Sequence, residues 1–322
     1  MHVIGLDLGG TKLASALFNR KGQLLEKRVA SLGDRQGDLV GDLIAREVRA
    51  LLSLSKQVEA IGLSVPGIYR PDDGTAWVPN IAGWENYPIR DRIREAVVNR
   101  EVPIRIDNDR ACYILGEMWR GDARDCSDAI YLAVGTGIGA GVLTGGQILR
   151  GVGDVAGSIG WMALSTLYKR EYKPCGDFEY HGSGAGIAQM MRKRLSNTPR
   201  PETPLARLNP EDLTASALFE AEEQGDPVAT DWMREIIRYW GAATANLISI
   251  FNPEKVIFGG GVFGPATRYM SRIRGQASLW SQPVSFSQAQ IVASRLGGEA
   301  GILGAGKLAL DAADQADRGV DE

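Results

Sequence analysis

The chain has 322 residues, of which 44% are hydrophobic and 23% charged, with a formal net charge of -3. Such a length points to two domains or one large α/β unit, and so modest a charge excludes a polyanion-binding protein, so nucleic acid is not an expected partner. Three cysteines without a repeated C-x-x-C spacing argue against a disulfide framework or zinc knuckle, and with no basic leader and no long apolar run the expected setting is the cytoplasm, with no membrane span.

Val3 to Leu8 is apolar apart from Asp7 and reads as a strand. Gly9-Gly10 follows as a tight turn, expected to need positive φ, and Lys12 to Phe18 resumes an extended pattern. A turn without Cβ atoms lets backbone approach a phosphate. Thr11 and Lys12 add a hydroxyl and a cation, and Asp7 lies close enough for a hydrated divalent metal, although an ordinary hairpin satisfies the same pattern. Gln23 to Val29 reads as a third strand. Leu39, Leu43, Ile44, Val48, Leu51 and Leu52 recur at helical spacing, and Val58 to Val65 is a strand stopped by Pro66-Gly67. A helix is expected from about Pro88 to Val98. Val102 to Ile106 then forms a strand that delivers Asp107-Asn108-Asp109 ahead of a helix over Ala111 to Trp119. Carboxyl ends of strands in α/β sheets open onto ligand crevices, so these residues stand where chemistry is placed, while Asp109 also suits a helix cap.

A second strand set starts at Ala129 to Val134 and runs into Gly135-Thr136-Gly137-Ile138-Gly139. Val142 to Gln147 reads as strand and turn where a dinucleotide fingerprint needs a helix, so the stretch repeats the logic of the opening hairpin. Two such turns suggest two related half-domains gripping one polyphosphate. Leu195 to Asn209 is proline-rich and aperiodic, a surface excursion. Glu211 to Glu223 and Val228 to Phe251 read as helices parted by Gly225-Asp226-Pro227, with Trp232 and Trp240 on an apolar stripe that belongs to the core. Val256 to Phe258 is a buried strand ending in Gly259-Gly260-Gly261-Val262. No acidic residue from Lys255 to Gly298 is available to bind a ribose as a dinucleotide site would. Gly301 to Leu308 imitates a phosphate loop but has Leu308 where Ser or Thr must ligate magnesium, and reads as a Gly/Ala-packed helix.

Together, Asp7-Leu8-Gly9-Gly10-Thr11-Lys12, Asn108-Asp109, Gly135-Thr136-Gly137-Ile138-Gly139 and Gly259-Gly260-Gly261-Val262 resemble the ROK family of bacterial sugar kinases and sugar-responsive repressors, over about residues 1 to 310. The resemblance implies an α/β fold of two actin-like ATPase (ribonuclease H-like) domains with an interdomain cleft. The first would comprise residues 1–112 plus the C-terminal helix from about 303 to 322, the second residues 113–302. It implies a homodimer and ATP with Mg2+. By the same resemblance, Gly9, Gly10, Thr11 and Lys12 line the triphosphate, Asp7 lies nearest the magnesium, and Thr136 and Gly137 form the second phosphate turn. Gly260 and Gly261 approach the adenosine, Gly67, Asn80 and Asn108 serve the sugar, and Asp109 is the catalytic base.

The chain also departs from that pattern. The family's Glu-x-x-His, which touches the sugar and contributes to a structural zinc, is Ser158-Ile159-Gly160-Trp161 here, and the zinc cysteines reduce to Cys175. No structural zinc is expected, because one Cys and nearby His181 cannot complete a tetrahedral site. Glu179 keeps the remaining sugar-contact position. Trp161 either stacks on the sugar or fills the space left by the metal, and His181 either orients Glu179 or lies on the surface. The expected activity is ATP-dependent phosphorylation of a sugar or sugar-like polyol, with Ser158 and Trp161 altering how the acceptor is read. The alternative is a non-catalytic sugar sensor. The first phosphate strand starts at residue 2 or 3, where ROK repressors first carry a helix-turn-helix, so DNA binding is not expected.

Overall fold

The computed structural model describes residues 1–97, 101–197, 199 and 201–318. The first 124 residues form β1 (His2–Leu8), β2 (Lys12–Asn19), β3 (Leu24–Ser31), α1 (Asp38–Leu54), β4 (Val58–Val65), β5 (Ile68–Arg70), β6 (Thr75–Trp77), α2 (Ile89–Arg94), β7 (Ile104–Asn108) and α3 (Asp109–Arg120). Next come β8 (Ala129–Val134), β9 (Ile138–Thr144), β10 (Gln147–Ile148), α4 (Asp177–Gly182), α5 (Gly184–Ser196), α6 (Ala215–Glu223) and α7 (Pro227–Phe251). The chain ends with β11 (Lys255–Gly259), α8 (Met270–Ser278), α9 (Pro283–Gln288), β12 (Gln290–Ala293) and α10 (Ala300–Arg318).

These elements make two compact units. The first takes Met1–Arg124, Arg150–Ala156 and the segment from Glu299 onward, around a sheet of order β3-β2-β1-β4-β7. β1, β2 and β3 are antiparallel neighbours, whereas β4 and β7 run parallel to β1. Strand alternation divides the faces of β1. Ile4, Leu6 and Leu8 enter the cluster that holds Leu43, Ile44 and Val48 of α1, while Val3 joins Ala309 and Leu310 of α10. On that second face the backbones nearly touch. A Cβ on Gly5 would lie 2.8 Å from the amide nitrogen of Gly306, and one on Gly62 of β4 only 2.1 Å from the carbonyl of Ala305.

The second unit, Asp125–Leu149 with Gly157–Gly298, has the sheet order β10-β9-β8-β11-β12, again antiparallel on one side and parallel on the other. The repeated strand, glycine turn, strand pattern therefore marks two sheets of equivalent connectivity. Its core gathers Ile130, Leu132, Val256 and Phe258 with Trp232, Ile236 and Trp240 of α7, so both tryptophans are core residues. Asp226 caps α7 by accepting from the Val228 amide at 3.1 Å, Pro227 fits the first turn, and Asn252 closes the helix in the left-handed region.

Several boundaries differ from expectation, each for a local reason. Neither Gly9 nor Gly10 has positive φ; the turn closes with the Gly9 amide donating to the Lys12 carbonyl at 2.9 Å. β7 starts later than the apolar run and includes Asp107 and Asn108, so Asn108 rather than Asp109 caps α3, its Oδ1 accepting from the Ala111 amide at 2.9 Å. α2 ends at Arg94 in turns, and Val98 lies outside the described residues, as do 319–322 of the expected last helix. α6 begins only after Thr214, whose hydroxyl caps it. The proline-rich stretch is not wholly superficial, because Leu205 is buried and the Thr203 hydroxyl donates to Asp226. Ile250, near the end of α7, is exposed.

Glycine at 304 is required by contact: a Cβ there would lie 1.9 Å from the carbonyl oxygen of Cys112 in α3. Gly304→Ala is expected to destabilise the protein by about 1–3 kcal/mol, as overpacking does. Gly275→Ala in α8, where no heavy atom stands within 4 Å of the added carbon, is expected to stabilise by about 0.5–1 kcal/mol. Denaturant midpoints of the two variants check both signs.

Candidate functional site

In the first unit the parallel strands end in register: Asp7 pairs with Ser64, and Ser64 with Asp107, while Val65 pairs with Asn108. Asp7 alternates onto the α10 face, against Gly301, where a Cβ would sit 2.3 Å from Asp7 Oδ2. The phosphate-loop lookalike thus supplies the glycine that makes room for this carboxylate. Burial pushes the Asp7 carboxyl above its usual range, opposed by the Ser64 hydroxyl and the Lys12 charge. Asp7 Oδ1 is buried with no hydrogen-bond partner, which fits a water of a hydrated cation as its missing partner. Next to it in electrostatic reach stands Asp109, pushed up to about 6 by burial, with the Arg110 charge lowering and Asp7 raising the value.

Asp107 is treated differently. It is 6% exposed and receives both terminal nitrogens of Arg150, at 2.5 and 2.7 Å; burial pushes its carboxyl above the usual range, this bidentate pair opposes the shift, and the Arg150 guanidinium is raised in turn. Asn108, expected to meet sugar hydroxyls, is anchored on both sides of its amide, since Nδ2 donates to Asp154 at 2.6 Å. Gly67 fits tightly under the chain leading to Asn80, with a Cβ position 2.1 Å from the Trp77 carbonyl, and Asn80 itself is exposed. Thr11 and Lys12 are exposed beside Gly10, around whose Cβ position 4 Å is open.

In the second unit the turn after β8 is fastened to the start of α5. The Gly184 amide donates to the Gly135 carbonyl at 2.8 Å, and the Ala185 amide to that of Thr136 at 3.3 Å. A cavity of about 320 Å³ opens here, lined among others by Thr136, Ala185, Ser216, Phe219, Gly261 and Val262. Gly260 instead lies against the β8 backbone, with φ 90° and a Cβ position 2.5 Å from the Val134 carbonyl, so it tolerates no side chain. The α5 and α6 contributions were missed in the sequence reading. Their signal was the capping residue before each helix, Ser183 and Thr214, followed by small residues that leave the first turn open.

Glu179 of α4 accepts from the Ile138 amide at 2.6 Å and closes on Gly137, whose Cβ position is 2.7 Å from Oε2. Burial raises its carboxyl above the ordinary range, opposed by that amide. Ser158 starts a short helical turn that ends at Trp161, and Trp161 is 59% exposed, which overturns its role as a space-filler for a missing metal. His181 is neither a surface residue nor a partner of Glu179. It is 8% exposed, stacked on Tyr239 at 4.1 Å and hydrogen-bonded to the Tyr172 hydroxyl at 3.0 Å; burial lowers its pKa, opposed by Asp177 and Glu235. His2, without an assigned role, bonds Ser55 at 2.7 Å.

Among the described residues no group of three or more His, Cys, Asp or Glu is placed to hold a metal, and the residues around Cys175 do not fit a tetrahedral zinc. The loop before α4 is held by a carboxylate instead. Asp177 accepts from the Leu164 amide at 2.8 Å, the Ser165 amide at 2.5 Å and the Ser165 hydroxyl at 2.9 Å, and that hydroxyl reaches Tyr239 at 3.0 Å. Removing the carboxylate leaves buried donors unmatched. Asp177→Ala is expected to cost about 3 kcal/mol, read as a lowered melting midpoint, whereas a metal chelator is expected to leave the wild-type midpoint in place.

A model of the ROK family matches residues 3–312. The chain is 27% identical to the glucokinase of Halalkalibacterium halodurans over 98% of this chain and 97% of that protein, and 28% identical to the xylose repressor of Caldicellulosiruptor bescii over 94% and 76%. Among solved structures, a ROK family glucokinase from Streptomyces griseus in complex with glucose and AMPPNP superposes with a TM-score of 0.77 at 29% identity, covering 97% of this chain and 100% of that one. The fold is the actin-like ATPase fold of these kinases, and the chain belongs to the ROK family.

Proposed function

We propose that this protein transfers the terminal phosphoryl group of ATP to a hydroxyl of a sugar or sugar-like polyol, with Asp109 as general base. The observation that carries the reading is the Asp109 carboxyl, pushed up to about 6 beside Asp7 at the carboxyl ends of the parallel strands. A base must hold a proton weakly enough to be free near neutrality and strongly enough to accept one from an alcohol, and a raised carboxylate does both better than an ordinary one. Asp109 takes the hydroxyl proton as the alcohol oxygen attacks the terminal phosphorus and ADP leaves.

Phosphoryl transfer depends mostly on positioning and on neutralising the phosphate oxygens. The turn over Gly9, Gly10, Thr11 and Lys12 offers open backbone, a hydroxyl and an ammonium. Thr136, Gly137 and Gly261 belong to the turn and cavity of the second unit, where Thr136 and Gly261 line a space of about 320 Å³ suited to a nucleoside. Magnesium, when bound, would offset charge on the phosphates, and Asp7 would hold it through water. Gly67, Asn80, Asn108 and Glu179 would serve the acceptor. Ser158 and the exposed Trp161, standing where family kinases have Glu and His, would shift recognition toward an acceptor with an apolar face, such as a cyclitol or an unusual hexose. A cytoplasmic homodimer belongs to the same reading.

A sensor that binds sugar without turnover is the second reading, favoured by the similarity to a xylose repressor over 94% of this chain. Coupled ADP release across hexoses, amino sugars and cyclitols separates the two, since a sensor releases none above background. Asp109→Asn is expected to keep its fold and its ATP affinity while losing about 10²- to 10⁴-fold in turnover. The pH dependence has a definite sign. Asp109 must be ionised to act, so kcat/KM is expected to rise with pH through an apparent pKa near 6 and level above it. Stability moves oppositely: the folded value lies above the ordinary 3.8, so Asp109 favours the folded state below 3.8 and that advantage fades as pH rises through about 6. A pH-rate profile without an acid limb in that range would remove the assignment.

A further inference from the structure

The segment Arg150–Ala156 belongs to the first unit although its sequence neighbours lie in the second. It bends through three left-handed residues, Gly151 at φ 68°, Gly153 at φ 63° and Asp154 at φ 60°. At the first two positions glycine meets the requirement without strain. At the third the chain places an aspartate, a residue that tolerates this region but is less at ease there than glycine. An unfavourable backbone is retained where the side chain has work to do.

Its surroundings show what that work involves. Asp154 Oδ2 accepts from Asn108 Nδ2 at 2.6 Å. Asn108 Oδ1 is committed to the Ala111 amide, so the amide has one orientation only, oxygen to the helix and nitrogen to the carboxylate. The segment is pinned in place by Arg110, whose guanidinium donates to the carbonyls of Asp154 and Val155, each at 3.3 Å. Arg150 fastens the other end, but spends its two short contacts on Asp107 and stands 3.4 Å from Asp154. The Asp154 side chain is 21% exposed. A carboxylate accepts at about four sites, so capacity remains beyond Asn108 and Arg150, next to the residue that precedes Asp109.

Resting on the kinase reading above, we propose that Asp154 is a specificity-determining residue of the acceptor site, accepting a hydrogen bond from a polyol hydroxyl adjacent to the one phosphorylated while fixing the Asn108 amide. The preferred acceptor is then a vicinal diol. A site built around a buried-edge acceptor discriminates strongly against an analogue that lacks the donating hydroxyl.

The test compares wild type with Asp154→Gly, which keeps the backbone conformation and removes the carboxylate, and with Asp154→Asn, which keeps both the left-handed tolerance and one acceptor oxygen. For the best polyol found in the screen, Asp154→Gly is expected to raise the acceptor KM at least tenfold, with the ATP KM within twofold. Asp154→Asn is expected to recover most of the acceptor affinity. Wild type is expected to favour the polyol over its deoxy analogues, and Asp154→Gly to lose that preference for one of them. An unchanged acceptor KM and unchanged deoxy discrimination in Asp154→Gly would overturn the proposal while leaving the kinase reading intact. If wild type turns over no polyol, the polyol-induced rise in melting temperature decides. Its loss in Asp154→Gly supports the role of Asp154 in a sensor, its retention overturns it, and a wild type with neither turnover nor a rise overturns both readings.

Discussion

The first unit depends on the closeness of α10 to the sheet and to α3. Gly5 and Gly62 on the strands, Gly301, Gly304 and Gly306 on the helix and Gly116 on α3 all stand where a Cβ would strike a neighbour. Contact at backbone distance leaves little room for water along the seam. Asp7 lies on it, facing Gly301, and the helix that begins with Asp109 is packed against its other side. Asp7 and Asp109 are therefore desolvated by the same packing that stabilises the unit, and their raised affinity for protons follows from it.

Three carboxylates illustrate how differently one charge is accommodated. Asp107 is matched by a bidentate guanidinium that anchors a neighbouring segment. Asp177 is matched by two backbone amides and a hydroxyl and closes a loop. Asp109 accepts from the Arg110 amide, at 2.9 Å, but has no guanidinium fork, and Asp7 works against its ionisation. Full satisfaction makes a carboxylate structural, and partial satisfaction leaves it available for proton transfer.

Much of this was legible in the sequence because its signals are local. The two glycine turns, the parallel strand over Val58 to Val65 and the Asp107-Asn108-Asp109 sequence each announce themselves within ten residues. What was misread depends on partners far along the chain. The buried stacking of His181 needs Tyr239, and the anchoring of Asn108 needs Asp154, 46 residues on. Trp161 was expected to stack on the sugar or to fill the space left by the metal, and its short helical turn leaves it 59% exposed, which does not suit the second role. The expectation of positive φ at Gly9 and Gly10 failed for another reason: the absent side chain at Gly10 leaves open space rather than enabling a bend. Composition cannot distinguish those two uses.

Because the first unit takes its last helix from the end of the described chain, its order of assembly is constrained during synthesis. Residues 125–298 can gather most of their own core while the earlier sheet still shows the glycine-lined face that α10 will cover. On that face Val3, Ala14, Ala16 and Ala60 are small, and Phe18 is, among the described residues, its one large apolar side chain from the strands in this cluster. A nascent chain waiting for its closing helix therefore offers chaperones and neighbouring ribosome products less adhesive surface than the α1 side would.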